Sequence, residues 1–298
     1  MSTAATVAVV PRRCQGWPAT GAAPRALLGR TVAVLCRSVT VVGFEGATAL
    51  VTGGSSGIGR AVAARLAAAG ASVAVLDRTP APAGDEVALS LTGDITDEEA
   101  VDDAVGRVIE RFGALTHVVL NAGVGGFGPL LDLEAAEWDR VVDTNLRGTF
   151  LCLRQAARAM VARGSGGSIV AVTSISGFLA DRNMAHYSVS KAGVAELVRV
   201  AARELGPRGI RVNAVAPGTT DTPLFAATDR LPGYRDQVAG RTPLGGVGTP
   251  DAVAGAVLAV LDMQWVTGQV LAADGGVSLW SPIDPAESLP GPRGTASP

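Results

Sequence analysis

Aromatic side chains are scarce in this chain, at 4% of 298 residues, so Ala, Val and Leu must fill whatever core it builds. Apolar residues still make up 48%, enough for a sizeable interior in one large domain or two small ones. The three cysteines, Cys14, Cys36 and Cys152, are widely spaced and match no zinc pattern. The two histidines, His117 and His186, are too few and too far apart for a metal site, and no metal is expected. Such sparse cysteine use suits a reducing cytoplasm. No stretch reaches the roughly 18 uninterrupted apolar residues of a membrane span. The formal net charge is −2, and no basic run is long enough to follow a phosphate backbone. The expected partner is therefore a small molecule, not nucleic acid or a membrane.

Lysine is all but missing. Of 25 basic residues 24 are Arg, and the one Lys is Lys191. Wherever a generic cation suffices, this chain has Arg, and at one place it keeps a compact ammonium on a flexible stem. Chance survival under a coding bias is the alternative to a function there.

Residues 1–44 show no clean periodicity and are rich in Ala, Pro and Arg. Arg12, Arg13, Arg25, Arg30 and Arg37 break every apolar run, which argues against a secretory signal. A mitochondrial-type presequence fits the Arg content. We expect much of the segment to be dispensable, as upstream sequence read from a misplaced start. The next Met after Met1 is Met160, so a start near Val41 or Val42 requires a non-ATG codon. Residues 281–298 carry five Pro and read as a loose tail. Between them, residues 45–280 read as one domain. Strands are expected near 47–52, 72–76, 87–91, 116–121, 168–173, 210–215 and 269–273. Helices are expected near 57–69, 97–112, 136–162, 186–205 and 250–261. Strand–helix alternation with Val/Ala-rich strands predicts an α/β fold: a doubly wound, parallel, seven-stranded Rossmann sheet covered on both faces.

The segment Thr52-Gly53-Gly54-Ser55-Ser56-Gly57-Ile58-Gly59 joins the first strand to the first helix. Gly53, Gly57 and Gly59 suit a tight turn, a close approach to a pyrophosphate and close helix–strand packing. The helix N-terminus offers free N–H groups to the anion. Ser55, Ser56 and Ile58 share that loop and are candidate cofactor contacts. Asp77 ends the second strand, where an acid accepts hydrogen bonds from ribose hydroxyls and repels a 2′-phosphate. It argues for NAD over NADP, although Arg78 beside it suits the phosphate.

Tyr187 and Lys191 stand four residues apart at the start of an expected helix, hence on one face. A free tyrosine has a pKa of about 10 and is a poor base, and a nearby ammonium favours its phenolate. By spacing alone the pair is weak. Thirteen residues upstream, Ser174 follows the apolar strand Ile169-Val170-Ala171-Val172-Thr173 and stands where a substrate oxygen would lie. Asn121-Ala122-Gly123 ends another strand at the same edge, and Asn145 lies in the long helix beyond it.

Taken together, residues 46–276 resemble a classical short-chain dehydrogenase/reductase. The glycine loop, Asp94, Asn121-Ala122-Gly123, Asn145, Ser174, Tyr187, Lys191 and Pro217-Gly218 stand in family order. The resemblance implies that Tyr187 is the acid/base, that Ser174 orients the reacting oxygen, and that Lys191 tunes Tyr187 and holds the nicotinamide ribose. It implies that Asn145 supports a water-mediated proton path, that Asp94 with Ile95 contacts adenine, and that Asn121, Ala122 and Gly123 shape the cofactor channel. Pro217, Gly218, Thr219, Thr220 and Thr222 would lie by the nicotinamide. A homotetramer or homodimer through the helices at 136–162 and 186–205 is also implied.

Two departures narrow the substrate. The link from Asp77 to Asp94 holds Pro80, Pro82 and Gly84, which predicts a loop in place of a crossover helix. Asp181-Arg182-Asn183-Met184 and Thr219-Thr220-Asp221-Thr222-Pro223 are similar to the 2,3-dihydro-2,3-dihydroxybenzoate dehydrogenase branch, with Arg182 about one position out of register. The pocket is expected to draw on Ser174, Ser176, Phe178, Met184, His186, Tyr187 and the segment from Thr219 to Tyr234. Leu224, Phe225 and Tyr234 either form an apolar lid or only pack that segment. His186 is expected at the surface and His117 as structural. Asp274-Gly275-Gly276 resembles a family turn after the last strand. The expected activity is NAD-dependent oxidation of a secondary alcohol on a small cyclic or dihydrodiol substrate. Its rivals are an NADPH-dependent 3-oxoacyl or polyketide ketoreductase and a non-catalytic nucleotide-sensing module.

Overall fold

The short apolar runs form seven strands: β1 (Thr48–Thr52), β2 (Ser72–Asp77), β3 (Leu89–Thr92), β4 (His117–Leu120), β5 (Gly167–Val172), β6 (Ile210–Pro217) and β7 (Val270–Ala273). In the computed structural model, which describes residues 43–279 apart from 85 and 228, they make one sheet of order β3-β2-β1-β4-β5-β6-β7. Every neighbouring pair is parallel. The helices are α1 (Gly57–Ala68), α2 (Glu98–Phe112), α3 (Ala135–Val142), α4 (Thr149–Arg163), α5 (Ala185–Leu205), α6 (Tyr234–Arg241) and α7 (Pro250–Asp262).

Alternation along each strand decides what each face buries. Leu50 of β1 and Leu76 of β2 pack with Val105 and Val108 of α2, Ala156 of α4 and Val198 of α5. Val51 and Val75 point the other way, onto Val62 and Leu66 of α1 and Val257 of α7. Each fully buried Val or Leu contributes about 1.5–3 kcal/mol. Both faces are therefore covered, as the continuous apolar strands require. Small side chains do this filling, and Phe44 and Phe225 are the aromatic residues buried among the described residues.

Strand order reverses between β1 and β4, since the chain runs outward to β3 before returning to β4. That switch point opens a crevice at the carboxyl ends of the strands. The N-terminus of α1 faces it: Ser56 makes no side-chain cap and the first turn holds no acid. By contrast α2 and α7 are capped by Asp97 and Thr249.

Three local features differ from expectation. The helix expected over 136–162 is two helices, α3 and α4, separated by a π-helical turn at Asp143–Gly148. The Thr149 hydroxyl donates to the Asn145 carbonyl at 2.6 Å, inside the helical ladder, and such insertion widens a turn. Second, α6 was not expected. Third, Phe44, in the stretch expected to be dispensable, is 4% exposed and meets the His117 ring edge-on at 5.3 Å. Burial, with Arg211 nearby, pushes His117 down to about 4, in keeping with its expected structural role. The link between β2 and β3 carries no helix, as its prolines predict. Residues 1–42, with the presequence and start-site expectations, and the tail 281–298 lie outside the described residues.

Candidate active site

The glycine loop closes on the switch point. Gly53 has φ +66°, and a Cβ there would come within 2.7 Å of the Ala122 Cα. A Cβ on Gly59 would overlap the Gly53 carbonyl oxygen. These positions admit only glycine, for the turn and for the packing of helix on strand. Gly57, against Thr222, completes the loop. Asn121 ties its far side, with its Nδ2 donating to the Gly53 carbonyl at 2.9 Å. The Asp77 carboxylate reaches the loop too, accepting from the Ser55 N–H at 3.1 Å. The Ser55 hydroxyl donates to the Thr79 carbonyl at 2.7 Å. Ser56 and Ile58 flank Gly57 at the open helix end. Asp94 accepts from the Thr96 N–H at 2.9 Å, and Ile95 is buried against Gly148. An open helix N-terminus, a cradle that side chains would fill and an acid at the end of β2 fit a dinucleotide.

Tyr187 and Lys191 project from the first turns of α5, with Ser174 facing them from the end of β5. Lys191 is 5% exposed, its Nζ donates to the Val172 carbonyl at 3.0 Å, and it lies 5.8 Å from the Tyr187 ring centroid. Burial lowers the ammonium to about 8. Burial also raises the Tyr187 phenol above its ordinary value; a hydrogen bond with Ser174 opposes that, and the Asp181 carboxylate adds to it. The sequence led us to expect Lys191 to depress Tyr187. Desolvation outweighs it, because the charged form loses water.

Asn145, fully buried, clamps this arrangement. Its Oδ1 accepts from the Val124 N–H at 2.7 Å, and its Nδ2 donates to the Val124 carbonyl at 2.9 Å and to the Ser190 hydroxyl at 3.0 Å. The π-helical turn aims it there, off the regular helical track. It thereby joins the loop after β4 to α5 within a turn of Tyr187. A Cβ on Gly123 would come within 3.0 Å of Asn145 Oδ1 and 3.4 Å of Lys191 Nζ, so that loop lies directly over both.

The segment after β6 forms the other wall. Pro217 ends the strand, and a Cβ on Gly218 would come within 2.9 Å of Asp274. Asp274 holds the expected turn by accepting from the Gly276 and Ser278 N–H groups. Thr219 bonds the Tyr234 phenol. Thr220 is buried, its hydroxyl donating to the Gly218 carbonyl at 2.9 Å. Of the expected lid residues, Leu224 is 48% exposed, whereas Phe225 is buried at 7%, between Tyr234 and Arg235. Arg235 pairs with Asp221 and Asp229 and pins α6 to this segment.

On the substrate side, Ser176 is buried and Met184 precedes the first turn of α5. Phe178 is 53% exposed at the mouth. A cavity of about 330 Å³ lies there, lined by Leu130, Asp181, Arg182, Asn183 and Ala185. His186 is not at the surface as expected: it is fully buried, with Nε2 3.7 Å from Glu137 Oε1. The helix turn that presents Tyr187 to the cleft directs its neighbour inward, beneath Gly126. Two groups escaped sequence reasoning. Arg140 donates to the Gly125 carbonyl at 2.8 Å and holds the loop after β4. Asp181 acts on Tyr187 through space, which no local spacing signals. Among the described residues no group of His, Cys, Asp and Glu is placed to hold a metal, and no helix is long and apolar enough to cross a membrane.

Known proteins share this arrangement. A family model described as enoyl-(acyl carrier protein) reductase matches residues 53–278. The cis-4-hydroxycyclohexanecarboxylate dehydrogenase of Sinomonas cyclohexanicum is 43% identical over 78% of this chain and 97% of its own length. The L-rhamnose 1-dehydrogenase (NAD(P)(+)) of Sphingomonas sp. (strain SKA58) is 39% identical over the same shares, 78% and 97%. Among solved structures, levodione reductase superposes with a TM-score of 0.73 at 34% identity, covering 79% of this chain and 99% of its own. Sheet order, glycine cradle and relatives agree, and the chain belongs to the short-chain dehydrogenase/reductase family, enzymes that act on CH–OH groups with NAD(P) as acceptor.

Proposed function

We propose that this enzyme oxidises a secondary alcohol on a small cyclic or dihydrodiol substrate, with NAD as acceptor. The observation that carries this is the meeting of Ser174, Tyr187 and Lys191 beside a glycine loop whose Ser55 N–H is held by Asp77. The loop Gly53–Gly59, with Ser55, Ser56 and Ile58, would hold the pyrophosphate, and Asp77 the adenosine ribose. Asp94 and Ile95 would flank the adenine, and Asn121, Ala122, Gly123, Pro217, Gly218, Thr220 and Thr222 the nicotinamide end. When bound, the nicotinamide accepts a hydride from the carbinol carbon. Ser174 and Tyr187 orient the alcohol oxygen, and Tyr187 Oη takes its proton. Lys191 would place a positive charge beside the phenolate as it forms, against the rise that burial imposes, and would hold the nicotinamide ribose. Asn145 fixes α5 against the loop after β4 and supports a proton path to solvent. Ser176 and Met184 contact the substrate.

The relative from Sinomonas cyclohexanicum bears the name of a dehydrogenase of a cyclic alcohol, which supports the cyclic substrate. One observation favours NADPH-dependent ketone reduction: Arg78, beside Asp77, is exposed and has no partner among the described residues. Asp77 outweighs it, because its carboxylate already lies against the loop. An idle sensing module has no use for a desolvated Tyr187–Lys191 pair. Sparse cysteine suits a cytoplasmic location, and the α4–α5 face suits a homodimer or homotetramer.

Turnover of cyclic alcohols, dihydrodiols and hydroxysteroids with NAD and with NADP, by the wild type and by Tyr187→Phe, tests this. NAD should be preferred, and the variant should lose about 10²- to 10⁴-fold in kcat. A clear preference for NADPH, or an unimpaired Tyr187→Phe, sinks the proposal.

A further inference from the structure

One carboxylate at the mouth of the cleft has no part in the mechanism above. Asp181 lies in the turn between β5 and α5. Its Oδ2 accepts from the Ser176 hydroxyl at 2.6 Å. Ser176 is 8% exposed, and its N–H donates to the Ser174 hydroxyl oxygen at 3.1 Å. A continuous run of contacts therefore leads from the residue that orients the alcohol oxygen to the Asp181 carboxylate. The charge of Asp181 is felt at two phenols, Tyr187 on α5 and Tyr234 at the start of α6, so it lies within reach of both walls of the cleft. It also lines the cavity of about 330 Å³.

The turn that carries it is built, not slack. Asn183 has φ 66°, the one described residue other than glycine in the left-handed region. Its carbonyl accepts from the Gly128 N–H at 2.8 Å, which ties this turn to the loop after β4. Strain of this kind persists only where neighbours enforce it. Yet Oδ1 of Asp181 has no partner among the described residues. Arg182, next in sequence, forms no ion pair with it. Exposed Leu130 lines the same cavity as this carboxylate.

We propose that Asp181, with Ser176, is the specificity residue of this site: it receives a second hydroxyl of the substrate and so selects cyclic vicinal diols over mono-alcohols and over anionic hydroxy acids. The proposal rests on the alcohol dehydrogenase reading above. An ionised carboxylate is a stronger acceptor than a neutral group, and a hydroxyl beside the reacting carbinol supplies the donor it lacks. Asp181 is exposed, so a mono-alcohol leaves that acceptor to water and forgoes the charge-assisted hydrogen bond that a diol makes. A substrate carboxylate meets a like charge, a repulsive element that discriminates as effectively as an attractive one. The apolar rim takes the ring.

The test is NAD reduction with cis- and trans-cyclohexane-1,2-diol, cyclohexanol and 4-hydroxycyclohexanecarboxylate, by the wild type, Asp181→Ala, Asp181→Asn and Arg182→Ala. In the wild type kcat/KM for the better diol should exceed that for cyclohexanol by about 10- to 100-fold. Asp181→Ala should collapse that ratio towards unity, and Arg182→Ala should preserve it. Asp181→Asn keeps the shape and an acceptor oxygen, so it carries the test should the alanine variant fold poorly. It should lower the ratio and move the acidic limb of the pH profile to lower pH, because the negative charge beside Tyr187 is gone. Equal turnover of diol and cyclohexanol by the wild type would overturn this inference alone. So would a diol preference that survives both Asp181 substitutions, or a preference for the carboxylate substrate that Arg182→Ala abolishes. No NAD reduction with any of the alcohols would instead overturn the dehydrogenase reading, and this inference with it.

Discussion

Lys191 sits where its charge is costly. Burial lowers its ammonium from 10.5 to about 8, so the folded protein binds this proton less tightly than the unfolded chain does. Between about pH 8 and 10.5 the unfolded state holds more protons, and stability rises with pH across that window. Below about pH 8 the full penalty is present. Tyr187 acts in the opposite sense: its folded pKa is raised, so above its ordinary pKa the unfolded chain gives up the proton first and stability falls with pH, until the folded phenol ionises too. Because Tyr187 changes little below about pH 10, the rise from pH 8 belongs to Lys191. Lys191→Met should flatten it, removing up to about 3 kcal/mol of pH-dependent stability, as measured by urea unfolding at pH 8 and pH 10. An unchanged slope in the variant would assign the alkaline gain to other groups. The sequence singled out this lysine through its rarity, but not the sign of its neighbour's shift. Spacing along a helix reports which groups meet and says nothing about how much water they lose.

At the scale of elements, the loop after β4 and the first turn of α5 are fitted to each other. A Cβ on Gly126 would overlap the Nε2 of His186, and His186 is fully buried beside Tyr187. Gly126→Ala must therefore push the imidazole, and with it the turn that carries Tyr187. Overpacking of this kind costs about 1–3 kcal/mol. In a His186→Ala background the same substitution should cost almost nothing, since the obstacle is gone. Thermal unfolding of the four proteins measures this; additive losses would show that the two residues do not meet. Strands and long helices were legible because their apolar periodicity reports burial directly. The π-helical turn at Asp143–Gly148 was not, because it arises from the Thr149 hydroxyl bonding the Asn145 carbonyl, a contact that leaves the apolar pattern unbroken. Nor was α6, which buries no residue and so carries no apolar stripe. The burial of His186 escaped for a third reason: one helical step inward from an active-site residue looks the same in sequence as one step outward.

At the scale of the whole molecule, an apolar face stands uncovered among the described residues. Between α4 and α5 runs a groove of about 580 Å³, lined by Phe150, Leu153, Ala157, Val161, Leu197 and Val200. Phe150 and Val200 are 39% and 48% exposed, more than large apolar side chains in contact with one another on a monomer surface usually are. The sheet itself cannot cover them, because α4 and α5 already turn their other faces to the core. Arg154 and Arg158 line the α4 side and Glu204 the α5 side, so a second copy related by a two-fold axis would set cation against anion at both ends. Val200→Glu tests this without disturbing the core, since Val200 lies outside the buried clusters. In a two-fold interface the variant places two like charges in an apolar groove, a cost of several kcal/mol. Light scattering after size exclusion should then show a smaller species than the wild type, with far-ultraviolet circular dichroism unchanged. A wild type that already elutes as a monomer, or a variant that keeps its mass, would mean that this groove is not where copies meet. The catalytic set offers a second readout. α5 carries both Tyr187 and Val200, so if assembly steadies that helix, the dissociated variant should lose kcat while retaining its fold.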